Sequence, residues 1–365
     1  MSKGPVLLIP NHVTNWDPLL VAMSLKKKHV YFVATEHIFR LGFASKLLTY
    51  FLAPIARPKG GSGLETVRSC MDHLKKGHSV CLFAEGEASW DGQTHPIFPA
   101  TGKLVQLSGA TLVTYRLEGA YLSLPRWRKT MRRGKVYGHP IRIYSPEELK
   151  KMTAREINQA IDRDIYENAW ERKKTTGAVY RGKNPAEGLE RGLYLCPKCR
   201  KIGTLKTAGD MIFCDCGLKR RYTEAGFADD AEPEGAGPEA GANASAVPFF
   251  PTFIEWDAWQ KETLQEMAAV QDPAHPFFSD SGLSLSRILP DHRSESLASG
   301  TLTLFPDRLE LENCVFPVSE ISSVAMVQAN RLLFTFRNEY YEAAADSKSR
   351  INLRKYLDLL TASDT

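Results

Sequence analysis

Val6-Leu7-Leu8-Ile9-Pro10-Asn11-His12-Val13-Thr14-Asn15-Trp16-Asp17-Pro18 decides how the first half of the chain is read. The short apolar run at its start reads as a strand. The run ends at Pro10-Asn11, and Asp17-Pro18 reads as a helix N-cap with proline at the first helical position. A strand that delivers a histidine, followed by a turn that brings back an aspartate, makes a general base with an orienting carboxylate. A neutral imidazole takes a proton near neutral pH. The carboxylate fixes its tautomer and stabilises the imidazolium that forms. The plain alternative leaves Asp17 capping the helix and His12 at a loop edge.

Outward from that stretch, strands are expected at Val6–Ile9, Val30–Ala34, Ser79–Phe83, Thr111–Tyr115 and Lys135–Ile143. Helix patterns fall at Pro18–Lys27, Phe43–Phe51, Ser62–Lys76 and Thr101–Ser108. The alternation predicts an α/β domain over residues 1–180, with a mostly parallel sheet flanked by helices. Ligand sites in such sheets gather beyond the strand ends, where His12 and Glu85 both fall. Ser145-Pro146-Glu147-Glu148 and Thr153-Ala154-Arg155-Glu156 each read as a capping box that opens a helix.

A second motif, Ser79-Val80-Cys81-Leu82-Phe83-Ala84-Glu85-Gly86-Glu87-Ala88-Ser89, ends an apolar strand in Glu-Gly and a small-residue turn. Together with Asn11-His12, Asp17 and Arg57, in that order, it resembles the glycerolipid acyltransferase family, the 1-acylglycerol-3-phosphate acyltransferases and their relatives. The resemblance covers residues 4 to 145. It implies that His12 deprotonates a hydroxyl of a lysophospholipid acceptor, which attacks the thioester of acyl-CoA or acyl-carrier protein while Asp17 holds His12. The product implied is phosphatidate, as in phospholipid biosynthesis. Arg57 would bind the acceptor phosphate, with Asn11, Glu85, Gly86 and Lys103 around it. The chain departs from the family pattern in three places. Ala84 stands for the usual proline, Glu87 and Ala88 follow Gly86 where a polar residue and an arginine are usual, and Leu112–Arg116 lacks the proline of the fourth motif. Relatives usually carry a helical or membrane-anchoring stretch before the first motif.

Leu195-Cys196-Pro197-Lys198-Cys199 and Phe213-Cys214-Asp215-Cys216-Gly217 give Cys-two-Cys, fourteen residues, Cys-one-Cys-Gly. Four thiolates at this spacing suit tetrahedral Zn²⁺, so residues 181–222 read as a zinc ribbon. Cys196, Cys199, Cys214 and Cys216 occupy all four positions, so the zinc is expected to be structural. Residues 223–250 are rich in Ala, Gly, Pro and acids and read as a flexible linker. In residues 251–365, Phe253, Ile254, Trp256, Trp259, Leu264 and Met267 mark an amphipathic helix. Short strands follow at Gly300–Phe305, Arg308–Leu311, Val315–Pro317, Ile321–Val327 and Leu332–Arg337, and a helix from Ser347 to Leu360 closes the chain. Strands plus one terminal helix resemble a pleckstrin-homology-like module.

The chain has 365 residues and a net charge of +5, enough for two or three domains with ordinary globular composition. Its apolar runs are far shorter than the roughly 20 residues of a spanning helix, and the run after Met1 is too short for a signal peptide. Cys70, Cys81 and Cys314 sit in apolar surroundings as buried thiols do, which with the clustered four argues for the cytoplasm. The stretch from Arg116 to Lys135 collects Arg116, Arg126, Arg128, Lys129, Arg132, Arg133 and Lys135 among Tyr121, Leu122 and Trp127. Such a patch suits an anionic membrane surface, which places the protein on the inner face of the cell membrane. Nucleic acid is the less favoured partner, since it leaves His12 without a task. A lipid- or CoA-binding protein with altered catalysis is the other alternative, and Glu87 and Ala88 favour it while the His12–Asp17 pair opposes it.

Overall fold

The computed structural model describes residues 4–25, 29–35, 54–57, 63–228, 247–289, 291, 293–346 and 349–362. The expected helix at Phe43–Phe51 lies outside the described residues. Six strands form the first sheet: β1 (Val6–Pro10), β2 (Val30–Thr35), β3 (Ile55–Arg57), β4 (Ser79–Cys81), β5 (Thr111–Glu118) and β6 (Tyr137–Tyr144). They lie in the order β3-β2-β4-β1-β5-β6. Every pair is parallel except β5 with the edge strand β6. Alternation along β1 sends Leu8 to one core, while Leu7 and Ile9 go to the core on the other face. Helices α1 (Asp17–Ser24), α2 (Gly63–Lys75) and α3 (Ala100–Ser108) punctuate the strands. A short turn α4 (Ala120–Ser123) follows β5, and α5 (Pro146–Lys150), α6 (Ala154–Ile165) and α7 (Ala169–Thr176) follow β6. Both expected capping boxes form, on Ser145 with Glu148 and on Thr153 with Glu156.

The cysteine-bearing segment folds as a small antiparallel sheet in the order β10-β9-β8-β7. Its strands are β7 (Leu205–Ala208), β8 (Met211–Cys214), β9 (Lys219–Thr223) and β10 (Gly226–Ala228). The linker expected at 223–250 is therefore ordered at both ends. β10 occupies its start, and Phe227 N–H donates to Pro251 O at 2.8 Å beyond its finish. The remainder, 229–246, lies outside the described residues.

Helix α8 (Phe253–Ala269) does not stand apart as an amphipathic arm. The Phe253 ring stacks parallel to Trp127, and Trp256 Nε1 donates to Leu195 O at 3.1 Å. Next come β11 (Phe278–Ile288), β12 (Ser294–Leu304), β13 (Arg308–Leu311), β14 (Cys314–Pro317), β15 (Ile321–Val327), β16 (Arg331–Phe336) and β17 (Glu339–Ala345), and then α9 (Arg354–Ala362). The sheet order is β14-β13-β12-β11-β17-β16-β15. One contiguous buried cluster runs from the first sheet through the cysteine unit and α8 into this last sheet. At its centre the Arg354–Asp257 pair is almost wholly buried, Nη2 to Oδ2 2.7 Å. The domains are thus packed on one another.

The basic stretch before β6 is divided: Lys129, Arg133 and Lys135 are exposed. Arg126, Arg128 and Arg132 are buried, as are Tyr121, Leu122 and Trp127. Arg128 donates to the carbonyls of Thr130, Lys183 and Asn184. Arg116 donates to Asp164 O. The guanidinium groups of Arg116 and Arg128 thus tie loops to one another, and only part of the stretch faces outward. No helix among the described residues is long and apolar enough to cross a membrane.

Candidate active site

β1 and β4 are neighbours, and their carboxyl ends carry the two motifs to one edge of the sheet. Asn11 follows β1 directly. It is fully buried, its Nδ2 donates to Leu117 O at 3.0 Å, and its Oδ1 accepts from Leu117 N–H at 2.7 Å. The amide thus adds a ladder step between β1 and β5. Asn11 was expected at the substrate, but both its polar atoms are committed to the backbone, so it braces the strand end.

His12 follows. Nδ1 lies 2.8 Å from Asp17 Oδ2, and the side chain is 18% exposed. The ring sits 4.4 Å from that of Phe83. Nε2 makes no hydrogen bond among the described residues. Asp17 itself is fully buried. Its Oδ2 also accepts from Val13 N–H at 2.6 Å and Thr14 N–H at 2.9 Å, while Oδ1 accepts from the Thr14 hydroxyl at 2.7 Å. Asp17 is not the helix N-cap. Trp16 takes that position without a side-chain cap bond, and Asp17 is the first helical residue. Its carboxylate turns back into the 12–14 loop, and that reversal brings two residues five apart into contact.

The 85–89 loop grips the His12 peptide from both sides. Glu85 Oε1 accepts from His12 N–H at 2.5 Å and Oε2 from His95 N–H at 2.8 Å. Ser89 N–H donates to His12 O at 2.9 Å. Burial pushes the Glu85 pKa up to about 8 against the opposing pull of those two N–H donors. Glu85 was expected to meet an acceptor hydroxyl; its oxygens instead hold the base in place. Gly86 has φ +84°, and an added Cβ would stand 2.5 Å from the Phe98 ring. Only glycine fits both the left-handed turn and that ring.

The remaining expected residues lie further out. Arg57 ends β3, three strands from β1 in the sheet order, about 14 Å at ordinary strand spacing. Its side chain lies outside the described residues. Lys103 is exposed on α3, with no polar contact to the His12 cluster among the described residues. Sequence reasoning missed Thr14, Ser89 and His95. All three act through backbone N–H groups, Thr14 through its hydroxyl as well, and a backbone N–H leaves no residue-type signal. Trp16 beside α1 and Met23 near its end are exposed, and half-exposed Phe98 lies over Gly86.

The four cysteines converge as expected. Their sulfurs all lie within 4.8 Å of one another, with Cys196–Cys216 at 3.6 Å and Cys199–Cys214 at 3.8 Å. A tetrahedral ion with bonds of about 2.3 Å needs sulfurs about 3.8 Å apart, so the cluster fits Zn²⁺. Residues with positive φ, Arg200 and Gly217, close the two knuckles.

Residues 1–118 match the family model described as Acyltransferase, about a third of the chain. Among solved structures, the chain aligns with the 1-acyl-sn-glycerophosphate (LPA) acyltransferase PlsC from Thermotoga maritima at 18% identity and a TM-score of 0.38. That alignment covers 45% of this chain and 66% of the other, a little under two thirds of its length. The family match supports an acyltransferase domain over residues 1–118, and the site geometry carries the functional reading.

Proposed function

We propose that the protein moves a fatty acyl group from acyl-CoA or acyl-carrier protein to a hydroxyl of a lysophospholipid, with 1-acylglycerol-3-phosphate as acceptor and phosphatidate as product. One observation carries this reading: Asp17 holds His12 Nδ1, and at this partly exposed strand end Nε2 makes no hydrogen bond among the described residues. Nε2 takes the acceptor hydroxyl proton as its oxygen attacks the thioester carbonyl. The C–O bond forms, the C–S bond breaks, and the imidazolium returns its proton to the departing thiolate. Asp17 offsets the imidazolium charge during that interval.

Transfer is direct, because the nearby nucleophiles are occupied. The Ser89 hydroxyl is buried, donates to Asp91 Oδ1 and accepts from Gly92 N–H. Thr14 is bonded to Asp17. The Cys81 thiol is fully buried, and burial raises its pKa well above the ordinary thiol range. Arg57 is the proposed phosphate donor, and Gly86 shapes the acceptor site. The four cysteines hold a structural Zn²⁺ that braces a unit too small to fold unaided. Exposed Trp16, Met23 and Phe98 suit acyl chains at the inner face of the cytoplasmic membrane. The test is an acceptor panel. Purified protein is incubated with labelled acyl-CoA and lysophosphatidate, glycerol phosphate or neutral lysolipids, and products are identified by mass. Acyl transfer to lysophosphatidate supports the assignment. Transfer confined to neutral lysolipids removes the phosphate, and no transfer to any acceptor removes the activity.

A further inference from the structure

β15 is the last strand of the C-terminal sheet, so its outer edge presents unpaired backbone groups. Two side chains of the acyltransferase region meet that edge at Met326. Its N–H donates to Glu87 Oε1 at 2.7 Å, and its carbonyl accepts from Arg126 Nη2 at 2.6 Å. Arg126 Nη1 closes the square, donating to Glu87 Oε2 at 2.9 Å and to Ala88 O at 3.0 Å. The ion pair therefore binds one residue of the edge as a neighbouring strand would. Because both Met326 backbone groups point at it, neither serves the pairing of β15 with β16.

The place of this contact matters. Glu87 lies between Glu85 and Ser89, the two residues that hold the His12 amide and carbonyl. Arg126 is buried, with its guanidinium carbon 4.4 Å from the Trp90 ring centroid. Arg354, from helix α9, lies 4.9 Å from the centroid of the same ring. The C-terminal region thus touches the catalytic loop twice, at Glu87 and at Trp90. The 85–89 loop is thus tied to a sheet edge from the other domain.

We propose that Glu87 and Arg126 are positioning residues, which dock the edge of β15 on the 85–89 loop and thereby keep His12 in register with Asp17. The proposal rests on the acyltransferase reading for its catalytic half. It gives Glu87 a task unrelated to phosphate: the carboxylate that departs from the family pattern serves a domain contact. The C-terminal sheet then belongs to the catalytic apparatus of this chain.

The test uses the purified full chain and three variants. In Glu87→Gln the amide offers one oxygen and one NH₂ group, so it serves Met326 N–H or Arg126, not both. Met326→Pro removes the N–H from the edge while keeping the carbonyl, and also fixes φ; Met326→Leu, which keeps the N–H, separates loss of the side chain from loss of the hydrogen bond. If Glu87→Gln does not fold, the proline variant carries the test. Expected is a kcat for acyl transfer lower by about 10- to 100-fold, as for small misplacements of a catalytic group. The acceptor KM stays within about twofold, since ground-state binding is untouched. Amide hydrogen exchange at His12 and Ser89 rises in the same variants, while β5 stays protected. Wild-type kcat and wild-type exchange in both folded variants, with His12→Ala inactive, overturn the proposal and leave the acyltransferase reading standing. Raised exchange in a protein that shows no His12-dependent transfer keeps the mechanical link and overturns its catalytic role together with that reading.

Discussion

Asp17→Asn separates charge from geometry at this site. Three donors converge on Oδ2, from His12 Nδ1, Val13 N and Thr14 N, and one hydroxyl faces Oδ1. An asparagine carbonyl placed at Oδ2 accepts all three, and its NH₂ group faces the Thr14 hydroxyl, which can accept as well as donate. The two backbone N–H groups enforce that orientation. The His12 tautomer and the fold are therefore kept, and only the negative charge is lost. Opposite unit charges 4 Å apart attract by about 4 kcal/mol at an effective dielectric near 20. Water at a ring that is 18% exposed trims this to about 3 kcal/mol, or about 100-fold in kcat. Asp17→Ala differs in kind. It strands two buried N–H groups at about 1–3 kcal/mol each, a large share of a stability of about 5–15 kcal/mol. The assay is steady-state acyl transfer beside a urea midpoint. Asp17→Asn should unfold near the wild-type midpoint and turn over about 100-fold more slowly. A folded Asp17→Asn within about threefold of wild-type kcat refutes the charge argument.

Other outcomes follow from the same geometry. Burial raises the Glu85 pKa from 4.5 to about 8, so the folded state binds the extra proton between those values. Its contribution to stability is full below about pH 4.5 and is lost as pH rises through about 8; Glu85→Gln should flatten that fall, read as urea midpoints at several pH values. Gly86→Ala should cost about 1–2 kcal/mol for the left-handed turn alone, and the displaced Phe98 ring, half exposed, relieves part of the clash; the melting temperature and kcat should both drop. Cys196→Ser with Cys214→Ser should abolish bound zinc by elemental analysis. It should also loosen α8, because Tyr194 N–H and Leu195 O are bonded to Gln260 and Trp256.

The parallel sheet and the His12–Asp17 pair were legible because they rest on periodicity and on a family spacing. The cysteine cluster was legible because thiolates at such intervals have few other uses. Asp17 was misassigned as a cap because aspartate before proline is the usual cap signal, and nothing local reveals a carboxylate turned backwards. The burial of Arg126 and Arg128 was not legible, because charge along a chain does not show which carbonyls await it in space. β11 and the first half of β12 were missed because Ser279, Ser281, Ser284 and Ser286, and Ser294, Ser296 and Ser299, look like turn residues. The serines of β11 pair with threonines of β12 as hydroxyl ladders, Ser279–Thr303 at 2.8 Å and Ser281–Thr301 at 2.9 Å. The Glu87–Met326 contact joins residues 239 apart and leaves no local signal at all.

The most direct measurement compares wild type with His12→Ala in a single-turnover reaction of labelled acyl-CoA with lysophosphatidate, both proteins folded by circular dichroism. The account predicts labelled phosphatidate from the wild type and a rate at least about 1,000-fold lower, near background, from the variant that lacks the base. Equal rates from the two proteins would contradict it.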